Sequence, residues 1–215
     1  MKGLILKDLY NIIHNSKSMF FILIVFAFAF IPSSGAQSYI FTCAILCSMM
    51  IVTTFTFDDK SDWTRYAMIM PVSKEDLVAG KFVVMAVFSA AGAVLGLLIG
   101  LAGGVIAKKI TLTPASVSEL LLMALVALVF AVIFGSMSIP LVFRFGAEKG
   151  RMLLLISLLF PAAIFVGAYK LLVMLGVVFT ERFVLELMCC SPVIAFIWSY
   201  VMYKISCSIF SKKEL

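Results

Sequence analysis

DDKSDWTRYAMIMPVSKEDLVAGK, the stretch from Asp58 to Lys81, is a polar island in a chain that otherwise avoids charge. It carries five acidic residues and one of the two tryptophans. Before it, Ser18 to Phe57 runs for 40 positions without a charged side chain; after it, Phe82 to Ala107 runs for 26. A helix crosses the hydrocarbon core of a bilayer with about 20 apolar residues. The island is therefore a loop between membrane spans. Composition agrees: 64% of the 215 residues are hydrophobic and 13% charged, whereas soluble domains carry about 25% charge. Mean hydropathy is +1.18. Inside a bilayer only helices and closed barrels satisfy their own backbone. The alternating segments of about ten residues that mark a barrel are absent. The expectation is an all-α polytopic membrane protein, one transmembrane domain over residues 1–215.

Toward the N-terminus, residues 1–18 alternate with helical period. Leu6, Leu9, Tyr10 and Ile13 fall on one face, and Lys7, Asn11, His14 and Ser18 on the other. This pattern predicts an amphipathic helix lying in the membrane interface. His14, the only histidine, has no catalytic partner in view and reads as solvated or facing headgroups. The run from Ser18 to Phe57 is twice one span, and IPSSGAQS (Ile31–Ser38) marks a turn within it. Two helices are expected, 18–32 and 38–57. The basic start, the run Met19–Ile31 and SSGA also suggest a leader cleaved after Ala36, but 18 patterned residues are long for its basic region.

Toward the C-terminus, span three (82–107) carries Gly92, Gly96, Gly100 and Gly104, a ladder with a step of four. Such a ladder makes one groove in which another helix approaches closely. Packing within the subunit is preferred, ahead of a dimer seam or a lined path. Spans four to six are expected at 120–143, 152–169 and 185–205, with Pro161 kinking the fifth. Lys170 either snorkels to the outer interface or faces a polar path. Snorkelling avoids the roughly 2.5–3.5 kcal/mol of a lysine at the bilayer centre. Residues 171–182 would then form an outer re-entrant or interfacial piece. Six spans place both termini, the 58–81 loop and the turn RFGAEKGR (Arg144–Arg151) on one side, with 13 of the 17 Lys and Arg residues. That side is cytoplasmic by the positive-inside rule.

Catalytic equipment is missing from the sequence. It holds no GxxxxGK[ST], HExxH or GxSxG, and Glu119, Glu181 and Glu186 stand at span ends rather than at the midplane. The five cysteines (Cys43, Cys47, Cys189, Cys190, Cys207) include no CxxC with a matching histidine set. Cys43 and Cys47, four apart, read as small packing residues. No basic run is interleaved with aromatics, which argues against nucleic acid. Energy for any transport therefore has to come from another subunit.

Within the island, Ser73 followed by Asp76 is a capping box that starts span three. Upstream, Asp59–Met70 can form a short helix with Trp63, Tyr66 and Met70 on one side. Aromatics rimmed by charge suit a docking hot spot, or equally anchors at headgroup level.

A six-span chain that starts MKGLILKDLY, ends a span in TFTFDDKSDWTRYAMIMPVSKEDLVAGKFV and turns at RFGAEKGR resembles the ABC-2 type permease family. It is most similar to the small bacterial subgroup that includes permeases of phenol-soluble-modulin and other peptide exporters. The resemblance implies a permease in the bacterial cell membrane, a homodimer or a pair with a paralogue. Two copies of a separate ABC ATPase, which bind ATP and Mg, sit beneath it; this chain binds no cofactor. It also implies that the first cytoplasmic loop holds the coupling helix. Asp59, Asp62, Trp63, Arg65, Tyr66 and Pro71 become docking candidates, with Arg144, Glu148, Lys149 and Arg151 in the second loop. A push on the loop would tilt span three, with the N-terminal helix as a lever. The cargo expected is a peptide or amphipathic compound. An immunity or drug-resistance exporter shares this architecture, and a non-transporting membrane scaffold or sensor is the alternative of a different class.

Overall fold

The computed structural model describes residues 2–70, 72–109, 111, 113–176 and 181–212. Within helices the side chains of a few residues, Glu148 and Arg151 among them, lie outside that description, as does Pro71. Seven helices follow one another: α1 (Lys2–Ser34), α2 (Ala36–Lys60), α3 (Trp63–Ala67), α4 (Lys74–Ile106), α5 (Pro114–Phe145), α6 (Ala147–Met174) and α7 (Glu181–Ser211). No strand occurs among the described residues. Stretches of α1, α2, α4, α5 and α7 are long and apolar enough to cross a membrane. In α6 the described apolar stretch, Leu159–Leu171, is shorter, so the chain offers five to six spans.

Two of the breaks are single glycines. Gly35 (φ 87°) separates α1 from α2, and Gly146 (φ 81°) separates α5 from α6. Only glycine takes such angles without strain, so each reverses the chain in one residue. The turn expected over Ile31–Ser38 therefore shrinks to Gly35, and Pro32 stays inside the last turn of α1. RFGAEKGR is likewise mostly helical, its only non-helical residue being Gly146.

The N-terminal segment departs from the sequence reading in two ways. It is not a separate interfacial helix, because residues 2–34 form one unbroken helix. The buried side is also a third one, assigned to neither of the two expected faces; His14 and Ser18 are exposed. Leu6, Tyr10 and Ile13 point outward, while Asp8 and Ile12 are buried. Around a membrane helix the outer surroundings are apolar, so charge turns inward wherever partners exist. At the other end of the chain, α6 runs through Pro161 and Lys170 to Met174, so the outer piece expected over 171–182 continues α6 as far as 174; its residues 177–180 lie outside the described residues. Lys170 is exposed.

Helix ends gather into two groups. Asp59 of α2 accepts a hydrogen bond from the Ala147 N–H of α6 (3.1 Å). Lys74 of α4 donates to the Ser211 carbonyl of α7 (3.2 Å). At the opposite end Gln37 of α2 donates to Glu119 of α5 (2.6 Å), and Lys109 donates to the carbonyl of Pro32 at the end of α1. The six long helices thus alternate in direction.

A close seam, with the backbones in near contact, joins α2 and α4. A Cβ placed on Gly92 would stand 2.5 Å from Cys47 Cβ; on Gly96, 3.1 Å from Cys43 Cβ and from Ile40 Cα; on Gly100, 3.2 Å from Ile40 Cγ1. The ladder thus lies on α2 of the same chain, with Cys43 and Cys47 filling its groove; Gly104 is buried. Ser48 adds a bond from α2 to the Ala131 carbonyl of α5 (2.7 Å). By contrast, only 11% of the apolar span of α1 is buried, against 56% for α2; α1 lies at the periphery and joins α2 and α4 through Leu23 and Ile31, with the Tyr39 hydroxyl donating to the Leu23 carbonyl (3.3 Å).

Gly92→Ala forces a methyl against the Cβ and backbone of α2, an overpacking that costs about 1–3 kcal/mol. Gly100→Ala meets Ile40 Cγ1 at 3.2 Å and the Ala36 carbonyl at 3.5 Å, a milder approach than the 2.5 Å at Gly92. Thermal unfolding in detergent is expected to show a clearly lower midpoint for Gly92→Ala and a much smaller change for Gly100→Ala.

Candidate functional site: a buried charge ring beneath the loop

The polar island is closed at its base by its own first and last residues. Lys81 Nζ lies 2.5 Å from Asp58 Oδ2 and 2.9 Å from Asp8 Oδ2. Lys7 Nζ pairs with Asp58 Oδ1 and lies 3.2 Å from Asp8 Oδ1. The four charges form a closed ring in which every cation touches both carboxylates. Lys7 and Asp8 come from α1, Asp58 from α2 and Lys81 from α4. The side chains of Asp8, Asp58 and Lys81 are at most 8% exposed, and that of Lys7 is 23% exposed. Two negative and two positive charges cancel, which is the condition for holding charge away from water.

The surroundings complete the site. Lys81 also donates to Thr54 Oγ1 (3.1 Å) and sits 4.8 Å from the centre of the Phe55 ring. Phe55 packs edge-on against Phe143 (4.9 Å), which in turn meets Phe210 (5.0 Å). These three rings border the site. A cavity of about 30 Å³ lies beside the charges, bordered by Leu4, Trp63, Leu77 and the three phenylalanines. That is room for about one water molecule.

Above the ring lies α3. Five residues are too few to hold a helix alone, so its packing must do so. Ala67 is fully buried. Trp63 lies under Lys7, whose Nζ is 4.5 Å from the ring centre. The contact is a cation–π interaction, stronger when shielded from water. The indole N–H of Trp63 is buried as well. Asp62 begins α3 in the left-handed region (φ 48°), which aspartate tolerates better than most residues.

The loop candidates therefore sort by direction. The expected helix over Asp59–Met70 is only Trp63–Ala67, because α2 continues to Lys60. Asp59, in that last turn of α2, is exposed, and its carboxylate accepts from the Ala147 N–H at the start of α6. Trp63 faces the ring. Asp62, Arg65 and Tyr66 are exposed, with Ile69 and Met70 beside them. Pro71 lies outside the described residues. Ser73 caps α4 by accepting from the Asp76 N–H (3.1 Å). In the second loop Arg144 and Lys149 are exposed, while Glu148 and Arg151 lie outside the described side chains. Sequence reasoning passed over Asp8 and did not join Lys7, Asp58 and Lys81. One signal was present: opposite charges stand where span two ends and span three begins, on antiparallel neighbours.

No group of three or more His, Cys, Asp or Glu residues able to hold a metal occurs among the described residues. The long apolar helices, the polar ends and the buried charge beneath a loop define a multi-pass membrane protein. The chain matches the ABC-2 family transporter proteins over residues 3–211 and belongs to that family, a component of a membrane transporter. No curated protein and no solved structure matches it.

Lys81→Ala leaves two buried carboxylates to one partly exposed lysine. Breaking a buried pair costs about 3–5 kcal/mol. The variant is expected to accumulate poorly and to unfold at a markedly lower temperature in detergent, whereas Lys204→Ala, at an exposed position, leaves both unchanged.

Proposed function

We propose that this chain is the permease subunit of an ABC exporter, driven by a separate ATP-hydrolysing subunit that docks on the loop around α3. Family membership supports the permease role. The observation that carries the docking is the two-sidedness of the loop. One side, Trp63 and Ala67, is bound to the transmembrane helices. The other presents Arg65, Tyr66, Ile69 and Met70 to the surroundings, Tyr66 61% and Ile69 82% exposed. An aromatic and two apolar side chains beside an arginine have the composition of a protein-binding hot spot. Exposed Arg144 and Lys149 stand at the same end of the bundle, where α6 is capped by Asp59.

The excess of Lys and Arg at that end supports a cytoplasmic side for the loop; the membrane proposed is the bacterial plasma membrane, as the family resemblance implies. ATP and Mg belong to the docked subunit, present in two copies beneath a pair of permeases. The cargo is a peptide or another amphipathic compound; a bundle with 13 methionines and 20 phenylalanines repacks readily around such a molecule. Because the glycine ladder clamps α4 to α2, a push on the loop moves those two helices together. The peripheral α1, whose apolar span is 11% buried, is the element that shifts against them.

Co-expression with a candidate ABC ATPase, sought first in the adjoining reading frames, tests the docking. Tyr66→Ala combined with Ile69→Ser is expected to weaken co-purification at least about tenfold, as loss of hot-spot side chains does. Undiminished co-purification removes the face from the interface. A bound ATPase whose hydrolysis does not respond to the permease makes the chain a scaffold instead of a transporter.

A further inference from the structure

We propose that Lys7, Asp8, Asp58 and Lys81 form a swivel that carries movement of the docked loop into α1, with α2 and α4 as the fixed frame. The inference rests on the docking reading above and adds the residues that transmit the motion.

The first ground is the closed connectivity of the ring. Each of its four charges touches two of opposite sign. One contact can open while every charge keeps a partner, so no step leaves a lone charge buried. Apolar side chains at a helix seam interlock, and such seams move between discrete packings instead of sliding. Attraction between charges falls off only with distance, so it tolerates a shift that interlocked side chains resist. The cavity of about 30 Å³ beside the ring leaves the side chains room to turn.

The second ground is where the ring sits. It is the meeting point of the tight pair α2–α4 and the peripheral α1. At the far end α1 is tethered by Lys109, whose ammonium donates to the Pro32 carbonyl. In mid-span Leu23 rests on Tyr39 of α2, whose hydroxyl donates to the Leu23 carbonyl (3.3 Å). A helix with such a fulcrum and a swivel at its end is a lever. The third ground is the drive. Trp63 belongs to the loop helix, and the ring member it touches, Lys7, belongs to α1. A displacement of α3 therefore reaches α1 directly.

The experiment uses the complex with the co-expressed ATPase, the five native cysteines replaced, and spin labels at the exposed positions Tyr10 of α1 and Val87 of α4. The distance between labels is read without nucleotide and with ATP plus vanadate. The ring is altered in two ways. Lys7→Met, Asp8→Leu, Asp58→Leu and Lys81→Met together replace it by apolar packing. Lys7→Arg and Lys81→Arg together keep its charges, its connectivity and a cation on the Trp63 ring. The unaltered chain is expected to show a nucleotide-dependent shift of about 2 Å or more. The apolar version is expected to fold, bind the ATPase and lose the shift, and the arginine version to keep it. A full shift in the apolar version overturns the swivel and leaves the docking standing. Loss of the shift in a folded, ATPase-bound arginine version also overturns it. Failure of the unaltered chain to bind the ATPase overturns the docking, and the swivel with it. Should the apolar version not fold, Lys7→Met alone opens the ring at its most exposed member. It is expected to reduce the shift by half or more with the ATPase still bound, and an unchanged shift there refutes the swivel.

Discussion

Two lysines and two aspartates share one dry site, and the charged end of the bundle is built around their need for one another. Any one of them alone would be expelled toward water or would unfold its helix. Together they draw α1, α2 and α4 to a single point. Their pairing explains why α1 turns Asp8 inward and shows leucine, tyrosine and isoleucine outward. It explains why the loop leaves and re-enters the bundle at the same place: its boundary residues, Asp58 and Lys81, are 2.5 Å apart. It also gives the five-residue α3 a footing, since the indole of Trp63 lies against Lys7.

The rest of the bundle is held by different means, and the contrast matters for how a transporter component moves. Between α2 and α4 the glycines bring backbones close enough that a methyl group would collide. Such a seam is rigid because no side chain can yield. Between α1 and its neighbours the contacts are sparser and end in ionic groups. Stiff and compliant seams therefore meet at the ring, directly beneath the loop that faces outward with Arg65, Tyr66, Ile69 and Met70.

Much of the layout was legible in the chain itself. Runs without charge marked the spans, because a buried charge in lipid is costly wherever it stands. Ser73 and Asp76 announced the start of α4, since capping is a local exchange between residues three apart. The glycine step of four pointed to a close helix approach for the same local reason. What escaped was non-local. Asp59 has the composition of a surface residue, yet it bonds to Ala147, far along the chain. Trp63 and Tyr66 look alike in sequence, yet one is turned to the ring and the other to the surroundings. The separate interfacial helix was misread because the amphipathic pattern of residues 1–18 says that two faces differ without saying which side of the helix its neighbours cover.

By itself, then, the sequence determined that this is a helical membrane protein, where most of its helices lie, and that its longest polar loop follows the second span. Those properties depend on hydropathy and on neighbours within one helical turn. Only the tertiary structure decided which partner α4 presses against, which way α1 faces, and that four scattered charges form one ring. Such outcomes turn on pairs of residues dozens of positions apart, whose attraction acts only once the helices have packed.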